Sequence, residues 1–488
     1  MILSNSFLGR LLENFSNASS PPVGGQSLSP RLIRIARRQA RMALSTKSQA
    51  LQVAGNALGL EEPFDFSAMA RARATLTAHF ERKRILPKPE LREAPFIAGQ
   101  QHFTLRFSGS LPLVFEDCEN FCIDLSNAHT GDALALRPKF NLIFRRCRNF
   151  ALTGGCLHNT RNFALFEGCA DFSVTGLVLN QTEGYGLTIF NSRQFLVSHC
   201  MHIGSLASGV YCLGESTLGL IRDNVHVDGK GHFNWDAAIH INHCSALLSV
   251  DDLPERSHEP LSILEKTLKP SFIFIERNIL NRNRAQGIYC EGALKCVIED
   301  NLIQGNNKEG ICFDWGSALN VFTGNKVLNN GERARMSERD LKDDFIEAFP
   351  LLADGSSSCK LPGLSLDNGV MNLITGNKFH RNFGGAIKMV RSALCNVVIE
   401  NFFTDNSLGR NPHFPRFNAV QHLAMGHGGG EFNPAAVLLD FLPSNYNLCS
   451  GNTAVLAAPD KFIGSDKASN RNRALGNRVN VYARADTD

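Results

Sequence analysis

From about residue 100 onward, apolar and polar positions alternate in short runs, each closed by a small or polar turn. In chain order they include "PLVFEDC", "NLIFRRC", "FALFEGC", "GLTIFNS", "GVYCLGES", "AIHINHC", "GIYCEGA", "GICFDWGS", "GLSLDNG", "AIKMVRS" and "AVLLDFLPS". A period of two predicts strands, with the apolar members facing a core and the intervening residues facing outward. Residues 1–95 follow a different rule. "SPRLIRIARRQARMALSTKSQALQVAGNAL" and "DFSAMARARATLTAHFERKR" are rich in Ala and Arg and have a helical pattern. They predict a basic helical N-terminal region, joined to the strands by "PKPELREAP".

The strand region repeats. An Asn recurs at one place in each unit: Asn224, Asn278, Asn301, Asn325, Asn377, Asn401, Asn452 and Asn477. Uninterrupted steps are 23, 24, 24 and 25 residues, and the steps of 54, 52 and 51 fit one coil plus an insertion, or two coils. A strand-and-turn period in the twenties means a solenoid. Leucine-rich repeats share the period, but their L-x-x-L-x-L frame is absent. The pattern resembles the right-handed parallel β-helix of the pectate lyase and polygalacturonase superfamily, over about residues 100–485. The resemblance implies an all-β solenoid in which an Asn at a tight turn stacks coil on coil through its amide. Three stretches break the period and read as insertions, at about 246–271, 332–362 and 407–434. Long excursions from a rigid scaffold are where sites are walled.

With the strands aligned, the outward positions form two columns. The first runs from Val114 through Tyr211, His240, Tyr289, Cys312, Ser365 and Lys388 to Leu438. The second runs from Glu116 through Leu213, Asn242, Glu291, Asp314, Asp367 and Val390 to Asp440. Three carboxylates on successive rungs destabilise a sheet unless a metal, a cation or a shared proton offsets them. The candidate catalytic residues are therefore Glu291, Asp314, Asp367, His240, Tyr289 and Lys388. Arg391, Trp315, Trp235, Tyr211 and Asn242 are the candidate substrate contacts. Aromatic faces suit sugar rings, and Lys388 and Arg391 suit a uronate carboxylate. Such a set can serve hydrolysis, which needs a paired acid and base, or β-elimination and epimerisation, which need a base and a cation. The expected partner is a polysaccharide or oligosaccharide. A non-catalytic glycan binder and an intracellular scaffold are the competing readings. If the chemistry is Ca²⁺-dependent, Glu291, Asp314 and Asp367 supply the oxygen ligands; otherwise no cofactor is expected.

Composition narrows the setting. A net charge of +4 and a pI near 8.4 argue against nucleic acid as a partner. Arg31, Arg34, Arg37, Arg38 and Arg41 cluster in the N-terminal region, which suits a solvated helix face or a helical cap on the repeat, or else a membrane-surface or protein contact. The 14 cysteines include no C-x-x-C pair, and several sit in repeat contexts such as "FEDCENF", "FRRCRNF" and "FEGCADF". They read as buried free thiols of a reducing compartment. The start of the chain lacks a signal-peptide pattern. A cytoplasmic location is expected, with export by a route lacking a cleaved signal as the alternative.

Overall fold

The computed structural model describes residues 66–83, 96–106, 113–128, 140–158, 160, 162–230, 236–245, 267–314, 316–331, 361–390, 393–406, 417–422, 444, 447–456, 461–465 and 472–481. The strands wind into three parallel sheets of 13, 13 and 11 strands. Each coil contributes one strand to each sheet. One such coil runs through Gln286–Glu291 in the first sheet, Val297–Glu299 in the second and Leu302–Gln304 in the third.

Two devices hold the stack. The first is apolar. Inward residues of the first sheet, among them Ile239, Ile241, Ile288, Cys290, Ile311, Phe313, Leu364 and Leu366, belong to one buried core. At the N-terminal end that core is built of stacked rings: Phe121, Phe150 and Phe172 follow at 4.8 and 5.2 Å, and Phe115, Phe144 and Phe166 at 5.0 Å each. In-register stacking puts like on like, so a flat ring that fits one rung fits the next. The stack ends at Phe195, whose partner on the next rung is Gly219. A Cβ at Gly219 would lie 2.1 Å from Phe195 Cζ. We predict that Gly219→Ala lowers stability by about 1–3 kcal/mol through overpacking, read as a shift in the denaturant midpoint. An unchanged midpoint would mean that Phe195 moves freely.

The second device is polar. Each repeating Asn accepts from the next-lower Asn and donates upward. Asn301 Nδ2 donates to Asn325 Oδ1 at 2.9 Å, and Asn325 Nδ2 to Asn377 Oδ1 at 3.0 Å. The long steps are therefore one coil plus an insertion: Asn224 bonds Asn278 directly, Asn325 bonds Asn377, and Asn401 bonds Asn452. Two further ladders run in parallel, Asn283–Asn306–Asn330–Asn382–Asn406 and Asn320–Asn372–Asn396–Asn447–Asn472. These amides satisfy turn carbonyls and N–H groups that would otherwise be buried without partners. The thiols do the same work at one corner, where Cys147 Sγ donates to the carbonyls of Phe115 and Arg145. Twelve of the described cysteines are free, and most of these are buried.

The insertion after His243 leaves through a neck. Cys244–Ser245 and Thr267–Leu268 pair antiparallel, Cys244 opposite Leu268 and Ser245 opposite Thr267. The coil then resumes at Ser271, in register with Thr217 of the rung before.

A helix over Phe66–Arg82 lies on the outer face of the second sheet. Met69, Leu76 and Phe80 share a face at helical spacing and pack with Leu196, Leu220 and Phe274. Each buried side chain contributes about 2 kcal/mol. Arg73 ties the helix to Glu276 and Glu299, and Lys83 ties it to Asp171 at 2.8 Å. The arginine cluster at 31–41 lies outside the described residues. Among the described residues, no helix is long and apolar enough to cross a membrane.

Candidate functional site

The columns form with the expected register. Tyr211 stands opposite His240, His240 opposite Tyr289, Tyr289 opposite Cys312, Cys312 opposite Ser365, and Ser365 opposite Lys388. Beside them Leu213, Asn242, Glu291 and Asp314 are in register. Asp367 follows Asp314 on the next rung, since Phe313 pairs with Leu366. The last rung differs. Lys388 pairs with Gln421 of the strand Phe417–His422, inside the stretch read as an insertion, rather than with Leu438. "FNAVQH" and "AVLLDF" alternate equally well, so periodicity does not choose between them. Leu438 and Asp440 lie outside the described residues, as do Trp235, Trp315 and Arg391.

The outward columns are not solvated over their middle rungs. Tyr289 and Asp367 are 0% exposed, Asp314 and His240 3%, and Glu291 8%. They point away from the coil core yet are buried, so each polar atom needs a partner. Tyr289 supplies the centre. Its hydroxyl lies 2.9 Å from Asp314 Oδ2 and 3.2 Å from Glu291 Oε1. Glu291 Oε2 lies 3.3 Å from His240 Nε2. The result is a hydrogen-bonded row of His240, Glu291, Tyr289 and Asp314 across three rungs. Burial, with the carboxylates of Asp314 and Glu291 close by, pushes the Tyr289 phenol well above the usual tyrosine range, so it keeps its proton.

One phenol has one proton to give, and two carboxyl oxygens share it. Donation to Asp314 at the shorter distance leaves Glu291 Oε1 beside the phenol oxygen. The phenol hydroxyl thus stands between the two carboxyl groups on successive rungs.

Tyr211 and Asn242 brace the row. Asn242 Nδ2 donates to the Tyr211 hydroxyl at 3.0 Å. The Tyr211 ring is held between Tyr185, at 4.7 Å, and His240, at 4.8 Å, and the Tyr289 ring follows His240 at 5.0 Å. With neighbours on both faces, Tyr211 fixes the imidazole and offers no face to a sugar.

The donors do not fit a calcium cage. Among the described residues, no three His, Cys, Asp or Glu side chains come together as a metal site, Glu291, Asp314 and Asp367 included. Their stacking places the carboxylates on successive rungs, with the Tyr289 hydroxyl between the first two.

The sequence reading missed Lys269. It follows the neck strand Thr267–Leu268 and is partly buried. A Cβ at Gly316, two residues past Asp314, would lie 3.8 Å from its Nζ. Burial holds the Lys269 ammonium below the usual lysine range. His243, which follows Asn242, is likewise held low by burial. A Cβ at Gly292 would lie 2.9 Å from His243 Cβ. The signal for Lys269 was its position at the return of an insertion next to the columns.

Comparison with known proteins agrees with the winding. Residues 230–411 match a family model described as a right handed beta helix region. The chain is a right-handed parallel β-helix. Among solved structures, the A-module of mannuronan C-5 epimerase AlgE4 from Azotobacter vinelandii is similar at 11% identity and a TM-score of 0.46, covering 85% of this chain and 94% of its own. A mutant of the periplasmic alginate epimerase AlgG is similar at 12% identity and a TM-score of 0.42, covering 79% and 74%. DFA-IIIase from Arthrobacter chlorophenolicus without its lid gives 12% identity and a TM-score of 0.44, covering 80% and 86%. No curated protein matches the chain.

Proposed function

We propose that the protein is a carbohydrate-active enzyme that removes the proton beside the carboxylate of a uronate unit in a polysaccharide, ending in β-elimination or epimerisation. The carrying observation is the Tyr289 hydroxyl between Glu291 and Asp314. Hydrolysis by a carboxyl pair needs the glycosidic oxygen between the two groups, about 5–9 Å apart. Here a buried phenol fills that gap, so the pair works in series, as a base with a proton store behind it.

Glu291 is the least buried member of the row, its side chain 11% exposed against 4% for the adjoining His240. One of them takes the C5 proton, and the electron pair moves into the substrate carboxylate. Lys269 offsets the charge that grows there. In elimination the pair then expels the oxygen at C4, breaking the C4–O bond and leaving an unsaturated uronate. In epimerisation a proton returns to C5 from the opposite face. Lys388 stands three rungs beyond Tyr289 and two past Cys312, about 14 Å from Tyr289 at the usual strand spacing. It suits a neighbouring uronate unit.

The test is a screen of uronate polymers in deuterated water. Elimination gives a product absorbing in the ultraviolet, and epimerisation gives deuterium at C5 without that absorbance. New reducing ends with neither signal would make the protein a hydrolase and overturn the reading. The near-complete burial of Tyr289 and Asp367 favours a second reading, a structural polar network in a non-catalytic glycan binder, which glycan binding without turnover would support.

Lys269 gives a separate prediction. Lys269→Met raises KM for an anionic polymer about tenfold or more, the size of a lost charge-assisted contact, while the melting temperature holds or rises, because a poorly solvated ammonium is removed. A fall in melting temperature with KM unchanged would make Lys269 structural.

A further inference from the structure

Among the described residues, the column of inward residues in the third sheet is apolar except at two rungs. Leu179 stands opposite His202, His202 opposite His226, and His226 opposite Leu280. The two imidazoles stack at 4.4 Å and 5° inside the coil, exposed by 2% and 1%. Among the described residues, none of their four ring nitrogens has a hydrogen-bond partner. Gly186 and Gly209 make the room, since a Cβ there would lie 2.7 and 2.4 Å from the Nδ1 atoms of His202 and His226.

A cavity of about 20 Å³, room for about one water, adjoins the pair. It lies where Gly229 replaces the ladder asparagine: the Gly229 N–H donates to Asn283 Oδ1 at 3.1 Å, and the ladder goes no further. Ser205, Asp236 and Asn283 line it with both histidines. Asp236 is the one carboxylate in that lining. From the sheet the pair meets Leu179 and Leu280, and from the turns Gly186 and Gly209, none of them titratable. The cavity also touches Ala237 and Ala238, which open the strand carrying His240.

We propose that His202 and His226 form an acid-operated latch: the coil leading into His240 stays closed while both imidazoles are neutral, and proton uptake opens it. Two positive charges have no place 4.4 Å apart in an apolar column without partners. Burial holds His202 down to about 3 and His226 well below its usual range, with His202 adding to the effect on His226. The opened chain regains the ordinary value near 6.5. The open form therefore binds more protons, and the closed form loses stability as pH falls from about 6.5 toward 3. With two protons taken up per opening, the opening constant rises up to about a hundredfold per pH unit.

The test is hydrogen exchange of the full chain at pH 7, 6, 5 and 4, corrected for intrinsic rates and resolved by peptide. Peptides within 201–242 are expected to lose protection before those of the Asn301–Asn325 coils. In the double variant His202→Leu, His226→Leu, which restores the leucines of Leu179 and Leu280, that early loss disappears. Equal acid opening in the variant and the wild type would overturn the proposal. If the variant does not fold, the wild-type histidine ring carbons decide by NMR. Two rings that stay neutral to pH 4.5 while the fold persists support the latch, and two that titrate near 6.5 in the folded chain refute it. The exchange readout needs no substrate, so its outcome is independent of the proposed chemistry.

Discussion

Replacing Glu291 by Gln is expected to lower kcat about a thousandfold, the mid-range contribution of a general acid or base, on the polymer the protein turns over. Gln keeps the shape and can still meet His240 and the Tyr289 hydroxyl, but it takes up no proton. KM should stay within about threefold, because the change removes proton transfer rather than binding. Tyr289→Phe should cost less, about ten- to a hundredfold, since it cuts Asp314 off from Glu291 and leaves the base in place. Unchanged turnover in Glu291→Gln would remove the row from the chemistry altogether. A matching loss in melting temperature would assign it to the fold instead.

The second large effect concerns stability. Asn325 is fully buried and joins three rungs. Its Oδ1 accepts from the Asn301 N–H and Nδ2, and its Nδ2 donates to the carbonyls of Ile298 and Thr323 and to Asn377 Oδ1. Asn325→Ala strands the Asn301 N–H and the Ile298 carbonyl inside the coil. At about 1–3 kcal/mol for each stranded group, the expected loss is about 4 kcal/mol, measured by denaturant unfolding. The neighbouring exposed Lys326 is the control, and its change to Ala should stay within about 0.5 kcal/mol. A loss below about 1 kcal/mol for Asn325→Ala would mean that solvent reaches the vacated groups.

The winding was legible because the ladder writes itself into the sequence as an Asn every coil. The two sister ladders were equally visible and went unread. They stand five residues to either side, as in Asn320, Asn325 and Asn330 or Asn372, Asn377 and Asn382. A three-residue strand and a two-residue turn fix that spacing. The site was legible in register and not in environment. Alternation put Glu291, Tyr289 and Asp314 on one outer face, but it does not say whether that face meets water. Lys269 went unread because the return of an insertion carries no period, although its place beside the columns was a signal. The paired imidazoles of His202 and His226 broke an otherwise apolar column, a signal that appears only once the third strand of each coil is aligned.

The neck at Cys244–Ser245 and Thr267–Leu268 makes the molecule interchangeable in parts. Because the coil resumes in register after it, with Asn278 bonded straight back to Asn224, a segment of another length or composition can leave at Ser245 and return at Thr267 without shifting a rung. Grafting at that point would exchange the inserted segment while leaving His240, Glu291, Tyr289 and Asp314 on their rungs.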